Sequence, residues 1–135
     1  MFEQEGYRLM GAAFEVYNEL GYGMAEEVYQ QSLEIELELR GVPFRSKPEL
    51  VMWFKDRELA KRYNPDLFVF EGIVAELKAV QALTCDHEAQ LFNYLRAARI
   101  SVGYLLNFGC PGQLEWKCYI ITDHQNSKAF RTRIK

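Results

Sequence analysis

The sequence predicts an α/β or α+β fold in which helices flank a central mixed sheet, with the elements in the order ααβββαββ. Two observations support this prediction. Apolar residues recur with helical spacing from residue 5 to residue 40 and again near residue 90. Continuous apolar runs typical of buried strands lie between these segments and after them. We therefore expect helices packed on both faces of the sheet.

The composition is that of a globular chain, since 49% of its 135 residues are apolar and 26% are charged. A chain of this length buries roughly two-thirds of its unfolded surface, so we expect one domain over residues 1–135. The three cysteines form no CxxC pair, which argues against zinc and disulfides and favours a reducing compartment, the cytoplasm. We expect no signal peptide, because the first residues, MFEQEGYRLMG, contain no apolar run. We expect no membrane span, because no window reaches ~18 apolar residues.

Two amphipathic helices are expected in the first part of the chain. The first covers residues 5–20, and its apolar residues fall on one face: Leu9, Ala13, Val16, Tyr17 and Leu20. The second covers about 25–40, and its expected buried face has the same spacing: Ala25, Val28, Tyr29, Leu33 and Leu37. Glycines that follow each segment favour helix ends there: Gly21, Gly23 and Gly41.

The pattern then changes to extended segments. An alternating run over residues 50–54, preceded by prolines, predicts an edge-like segment, and residues 58–63 are expected to return as a short strand. Residues 67–70 and 73–77 are apolar on both sides, which is typical of strands covered on both faces.

A third helix and two further strands complete the prediction. The helix covers about residues 86–98, and Thr84 is the expected N-cap. The strands cover residues 102–108 and 114–121, and a Cys-Pro-Gly turn separates them.

Four charged residues lie in the run NPDLFVFEGIVAELK. Glu71 falls in the expected turn, whereas Asp66, Glu76 and Lys78 lie in or beside the apolar strands. Because side chains alternate between faces along a strand, Glu76 and Lys78 share a face. A two-residue turn in this hairpin would place Leu67 opposite Glu76, whereas an odd-count turn centred on Glu71 would pair Asp66 with Glu76. We predict the odd count or a bulge beside Asp66.

Two carboxylates on one face would repel each other by ~4 kcal/mol at ~4 Å, and burial adds a desolvation cost. Either one acid stays protonated or a cation lies between them. Oxygen ligands suit Mg²⁺, and a neighbouring lysine suits an anionic substrate, a combination that favours metal-assisted hydrolysis of a phosphodiester. The residues alone leave open a simpler interpretation, an Asp at a strand start and a Glu–Lys pair at a sheet edge.

The segment Pro65-Asp66…Glu76-Leu77-Lys78 resembles the PD-(D/E)XK nuclease superfamily. Two further motifs narrow the resemblance. The run GMAEEVY over residues 23–29 matches the pattern that names the GxxExxY family. The run HEAQLFNYL over residues 87–95 is similar to the QxxxY segment of RecB-like nucleases.

The resemblance implies a sheet of the restriction-endonuclease type and a site for Mg²⁺ or Mn²⁺. Asp66 and Glu76 would ligate the metal, with the carbonyl of Leu77 as a further ligand. Glu26 would join the metal site directly or through water, and Lys78 would be the catalytic lysine.

The same resemblance implies that Gln90 and Tyr94 position the metal, the lysine or DNA. Tyr29 and His87 are further candidates for binding the substrate. Simpler roles remain open for each. Tyr29 suits the core with its hydroxyl bonded to a polar group, and His87 near a helix start suits a cap. Gln90 suits a solvated helix face, and Glu26 suits a first helical turn.

The leading hypothesis is therefore a metal-dependent nuclease, a phosphodiester hydrolase that acts on nucleic acid, with DNA the expected substrate. The alternative is a catalytically silent nuclease-fold module that binds nucleic acid or a protein partner. The net charge of −3 favours this alternative, because it lacks the usual basic footprint. A third option is an oligomerising domain, a homodimer with Trp53 and Phe54 at its surface. No membrane partner is expected.

Overall fold

The computed structural model describes residues 2–122 and the backbone of residues 131–134. The helices are α1 (Glu3–Leu20), α2 (Glu26–Leu39) and α3 (Cys85–Ala98). The strands are β1 (Phe44–Ser46), β2 (Trp53–Phe54), β3 (Arg57–Glu58), β4 (Leu67–Val69), β5 (Ile73–Lys78), β6 (Val102–Asn107), β7 (Glu115–Ile120) and β8 (Arg131–Ile134).

Six of these strands form one mixed sheet in the order β1-β4-β5-β6-β7-β8. β5 and β6 pair in parallel, and the other neighbours pair antiparallel. The parallel pair requires a crossover, which α3 provides. β2 and β3 form a separate two-stranded hairpin.

Helices cover both faces of the sheet. α1 and α2 pack on the face to which alternate strand residues point: Leu67, Val69, Ile73, Ala75 and Leu77. α3 packs on the opposite face, over the intervening residues: Phe68, Val74, Leu105 and Tyr119. Since cross-strand partners share a face, the register assigns Glu76 to the α3 face, in one row with Leu105 and Lys117.

The predicted mixed sheet flanked by helices is confirmed. All three predicted helices form within two residues of their expected ends, and Thr84 is the N-cap of α3, where its hydroxyl accepts from the amide of His87 at 3.3 Å. Within the described part of the chain, none of the helices combines the length and the hydropathy that crossing a bilayer requires.

Three details differ from the sequence prediction. Ala25 and Val28 are exposed, because the buried face of α2 begins only at Tyr29. The expected strands at 50–54 and 58–63 shrink to the β2–β3 hairpin and an isolated bridge, while a short edge strand, β1, forms earlier. β8 adds a strand that no apolar run predicted.

Candidate active site

The β4–β5 hairpin brings the two predicted acids together. Val69 pairs with Ile73 and Leu67 pairs with Ala75, so the turn contains three residues and the register continues to place Asp66 opposite Glu76. The first two turn residues, Phe70 and Glu71, have positive φ angles of 55° and 52°, and the amide of Gly72 donates to the carbonyl of Val69 at 3.1 Å. The odd-count turn predicted from the sequence is confirmed.

Asp66 and Glu76 exchange hydrogen bonds between side chain and backbone. The amide of Asp66 donates to Glu76 Oε1 at 3.1 Å, and the amide of Leu77 donates to Asp66 Oδ2 at 2.7 Å. These contacts extend the strand pairing beyond the end of β4 and fix both carboxylates relative to the backbone. Oδ1 of Asp66 has no donor among the described residues.

Tyr63 is a member of this site that the sequence analysis missed. Its hydroxyl donates to Glu76 Oε2 at 2.6 Å, and its ring stacks on Tyr94 with centroids 4.4 Å apart and planes 2° from parallel. The backbone of Tyr63 is held by a bridge to Leu50. Tyr94 is therefore linked to Glu76 through Tyr63. No motif marked Tyr63, because its contact depends on an isolated bridge between loops.

The surroundings of Glu76 disfavour its charged form. Burial raises the pKa of Glu76 to about 7; the negative charge of Asp66 adds to the rise, and the hydrogen bond from Tyr63 opposes it. The pKa of Tyr63 is also raised, first by burial and then by the charge of Glu76. Protonation of Glu76 is therefore shifted into the neutral pH range.

Lys78 and Glu26 lie near the two acids. Lys78 follows Glu76 by two residues, shares its face of β5 and is half-buried. Glu26 is the first residue of α2, and its pKa is raised by burial and by the charge of Asp66, while Lys78 and Lys47 oppose the rise. The charges of Asp66 and Lys78 are thus both close enough to act on Glu26.

Tyr29, the last residue of the GMAEEVY run, fixes the loop that precedes Glu26. The Tyr29 hydroxyl donates to the carbonyl of Gly21 at 2.6 Å and accepts from the amide of Met24 at 3.2 Å. Its ring stacks on Phe108, whose amide donates to the carbonyl of Lys78 at 2.8 Å. Tyr29 is fully buried, so the structure places it as an anchor of the α1–α2 loop.

Gln30 is a second residue that sequence reasoning missed. Its side chain, only 3% exposed, donates to the carbonyl of Asp66 at 2.9 Å and to Glu34 at 2.7 Å. Ser46 on β1 donates to the same Glu34 oxygen at 2.7 Å. α2 and β1 therefore hold the backbone of Asp66 from outside the hairpin. In the sequence, Gln30 resembles any polar helix residue, so it carried no signal.

The remaining predicted residues lie on α3. Gln90 is exposed, one helical turn before Tyr94. His87 is engaged in the helix cap, where its Nδ1 accepts from the amide of Thr84 at 3.0 Å. His87 thus has the capping role that the sequence left open. Tyr94, by contrast, contacts Tyr63 beside the acids.

A second acid, Glu88 on α3, lies on the same side of the sheet. It accepts from Lys117 Nζ at 2.6 Å and from the Tyr119 hydroxyl at 2.5 Å. Burial would raise the pKa of Glu88, but these two hydrogen bonds outweigh it and the pKa is lowered. This cluster contains an ion pair, whereas Asp66 and Glu76 form none within 4.0 Å in the described part of the chain.

The donor set around Asp66 fits a hard cation only in part. The two carboxylates and the Leu77 carbonyl are oxygen ligands of the kind that Mg²⁺ prefers, and Oδ1 of Asp66 is open. However, the described residues contain no group of three or more His, Cys, Asp and Glu side chains placed to hold a metal ion. Glu26 therefore does not complete a ligand group with Asp66 and Glu76 in this conformation.

Comparison with known protein families gives one result. The family model of the PD-(D/E)XK nuclease superfamily matches residues 3–118, which include all three helices and the strands β1 to β6. Comparisons with curated proteins and with solved structures gave no match. The fold described above, a mixed sheet flanked by three helices, is consistent with the restriction-endonuclease type.

Proposed function

Because this chain belongs to the PD-(D/E)XK nuclease superfamily, we propose that it is a nuclease that hydrolyses phosphodiester bonds of nucleic acid, with DNA the expected substrate. Nucleases of this superfamily generally use divalent metals such as Mg²⁺. We further propose that Mg²⁺ or Mn²⁺ binds at the site around Asp66 and Glu76. We also propose that the chain belongs to the GxxExxY group of the RecB-like branch.

The observation that supports this proposal best is the register of the β4–β5 hairpin. It places Asp66 opposite Glu76 and puts Lys78 on the same face, two residues further along β5. Neither acid forms an ion pair within 4.0 Å among the described residues. A pair of adjacent carboxylates without a protein cation favours binding of a cation from solution.

The proposed roles follow from the chemistry of each group. Asp66, Glu76 and the carbonyl of Leu77 would hold the dication, which when bound supplies a Lewis acid and an activated water. Lys78 would neutralise the negative charge that develops on the phosphate during attack. Glu26 would contribute through a water molecule, since it lies beside the charges of Asp66 and Lys78 without joining their ligand group.

Other residues are proposed to position these groups or to touch the substrate. Tyr63 and Tyr94 would orient Glu76, and Gln30 would fix the backbone of Asp66. Gln90 would contact the substrate, because it is exposed one turn before Tyr94. For Tyr29 and His87, a role in substrate binding stays a prediction, and their polar atoms serve local hydrogen bonds.

The test is a cleavage assay on single- and double-stranded DNA and on RNA, with Mg²⁺ and with Mn²⁺. Replacing Lys78 with Ala should lower the rate by about 100-fold or more, the usual effect of removing a group that stabilises a transition-state charge. Metal affinity, followed by calorimetric titration with Mn²⁺, should change little. The matched control is Arg8→Ala, because Arg8 is an exposed cation on α1, which covers the opposite face.

A second candidate, a catalytically silent module, is favoured by the hydrogen bonds that both carboxylates already accept and by the absence of a third ligand among the described residues. It predicts no cleavage under any of these conditions and no heat of Mn²⁺ binding. Cleavage that survives Lys78→Ala unchanged would contradict the role assigned to that lysine.

A further inference from the structure

The segment over residues 50–63 leaves the central sheet and forms the β2–β3 hairpin. Its base is closed by Leu50 and Tyr63, whose backbones exchange hydrogen bonds of 2.8 and 2.9 Å. Further along, the amide of Leu59 donates to the carbonyl of Met52 at 2.9 Å. Leu50, Met52 and Tyr63 are buried in the core under α3, so the hairpin projects from a fixed base.

The tip of the hairpin is also held in place. Arg99, which follows α3, donates from Nη2 to the carbonyl of Lys55 at 2.6 Å. The same guanidinium lies 4.6 Å from the centroid of the Trp53 ring. A cation stacked on an aromatic ring stabilises such a contact. The hairpin therefore presents its outer residues from a defined position.

An aromatic ring and an ammonium group lie together at this tip. The side chain of Phe54 is 65% exposed, although it is a large apolar residue. Lys55 Nζ lies 5.6 Å from the centroid of the Phe54 ring, and Lys55 adopts a positive φ of 58° at the turn. An exposed ring beside a cation is the combination that proteins use to stack an unpaired base and bind its phosphate.

The surrounding charge has the opposite sign to that of the whole chain. The hairpin and its anchor carry five cations: Lys55, Arg57, Lys61, Arg62 and Arg99. Only two acids lie among them, Asp56 and Glu58, and Glu58 pairs with one of the cations at 3.8 Å. The full chain has a net charge of −3, so this cluster is a local positive surface on an acidic protein.

Other exposed apolar residues lack this charge. Ile35 and Leu39 are exposed on α2, whose sequence EEVYQQSLEIELEL contains five acids and no base. Tyr7 is 79% exposed on α1, beside Glu3 and Arg40 in an open groove of about 830 Å³. Charge complementarity with a polyanion therefore distinguishes the β2–β3 hairpin from these two surfaces.

The hairpin leads directly to the acids. Tyr63, at its base, donates to Glu76, and it follows Arg57, at the start of β3, by only a few residues. Six residues span at most about 20 Å, so the cations on β3 and after it lie within the length of a short oligonucleotide from the site. A strand bound along the hairpin would enter the site beside Tyr63.

We propose that the β2–β3 hairpin is the substrate-binding element of this protein and that it binds single-stranded nucleic acid. An unpaired base stacks on Phe54, while Lys55, Arg57, Lys61 and Arg62 bind consecutive phosphates. This inference rests on the proposed nuclease function and deepens it, because it assigns substrates that contain a single-stranded region.

The first test measures binding to a fluorescein-labelled dT₁₂ oligonucleotide by fluorescence anisotropy in EDTA, where cleavage does not interfere. Phe54→Ala should weaken binding by roughly 5- to 100-fold, the range found for losing one stacked base, and Phe54→Trp should retain it. A 12-base-pair duplex should bind more weakly than dT₁₂, and its affinity should change little in Phe54→Ala. The control is Tyr7→Ala, which removes an equally exposed aromatic ring elsewhere.

The second test uses salt. The double variant Lys55→Gln, Arg57→Gln should reduce the slope of log affinity against log salt by about 0.7 for each phosphate that the protein no longer neutralises. The control double variant, Arg8→Gln, Arg45→Gln, removes two cations from outside the hairpin and should leave the slope unchanged. Equal slopes for the two double variants would overturn the proposal.

The outcomes separate this inference from the proposed function. Cleavage by the wild type together with unaltered dT₁₂ binding by Phe54→Ala overturns the hairpin proposal and leaves the nuclease intact. Weakened binding without cleavage in any metal supports the hairpin and defeats the nuclease. If Phe54→Ala instead converts a dimer to a monomer in light scattering, the ring is a self-association contact and the proposal fails.

Discussion

Two acidic clusters lie under α3 on the same face of the sheet, and their charges are balanced differently. Glu88 accepts from Lys117 and Tyr119, and its pKa is lowered. Glu76 accepts from Tyr63 and a backbone amide, neither of which carries charge, and its pKa is raised to about 7. The two carboxylates accept hydrogen bonds of similar length from a tyrosine, but their pKa values are shifted in opposite directions.

The sheet explains why the cation of one cluster cannot serve the other. Glu76, Leu105 and Lys117 are neighbours in one row across β5, β6 and β7. With strands ~4.8 Å apart, Glu76 and Lys117 are separated by about 10 Å at the backbone, and Leu105 fills the space between them. Glu88 is therefore neutralised by its own lysine, whereas neither Asp66 nor Glu76 forms an ion pair within 4.0 Å among the described residues. This difference is the reason that the proposed active site includes Glu76 and not Glu88.

The largest expected effect comes from removing each acid in turn. Glu76→Gln should lower cleavage by about 100-fold or more, because it removes a proposed metal ligand and keeps the shape. Glu88→Gln should leave cleavage nearly unchanged and cost about 1–3 kcal/mol of unfolding free energy, since Lys117 loses its charged partner. Rates and urea denaturation of the two variants measure both quantities. Equal losses of activity would remove the distinction between the clusters.

The pH dependence of stability gives the next largest effect. The pKa of Glu76 in the folded protein, about 7, lies above its ordinary value of 4.5, so the folded state binds more protons between these values. Unfolding free energy should therefore fall as pH rises from 4.5 to 7, by about 3 kcal/mol from this group. Glu88, with a lowered pKa, contributes stability that is present at neutral pH and lost on acidification.

The measurement is urea denaturation between pH 5 and 8 in EDTA, for the wild type and for Glu76→Gln. The difference between the two curves isolates Glu76 from other titrating groups. Adding Mg²⁺ at pH 8 should raise the stability of the wild type alone, because a ligand that binds only the folded state stabilises it. Parallel curves for the two proteins would show that Glu76 has an ordinary pKa.

The register of the acids could be predicted from the sequence, because it depends on local counting. Alternation along β5 and the number of residues in one turn determine whether Asp66 faces Glu76. The helices were predictable for the same reason, since an apolar stripe at helical spacing is a local signal. Strand alternation and turn length say nothing about Glu26 and Tyr94, whose expected roles came from the family motif.

The groups that support the acids could not be predicted. Tyr63 reaches Glu76 across 13 residues, Gln30 reaches Asp66 across 36, and Lys117 reaches Glu88 across 29. Each contact depends on how separate elements pack, and each residue type is common on a protein surface. The sequence therefore predicted that Asp66 and Glu76 face each other. It did not indicate that Lys117 neutralises Glu88.

The smallest expected effects come from the two tyrosines that donate to these acids. Tyr63 donates to Glu76 at 2.6 Å, and Tyr119 donates to Glu88 at 2.5 Å. Tyr63→Phe keeps the stack on Tyr94 and removes only the hydroxyl that orients Glu76. It should lower Mn²⁺ affinity and cleavage by about 10-fold, the lower end for losing a partner of a metal ligand. Tyr119→Phe removes the same bond from Glu88 and should cost about 1–2 kcal/mol of stability with no change in cleavage. Because the two substitutions are chemically identical, a loss of activity confined to Tyr63→Phe can be attributed to the acid that it serves. A tenfold loss in both variants would instead assign the effect to general loosening of α3.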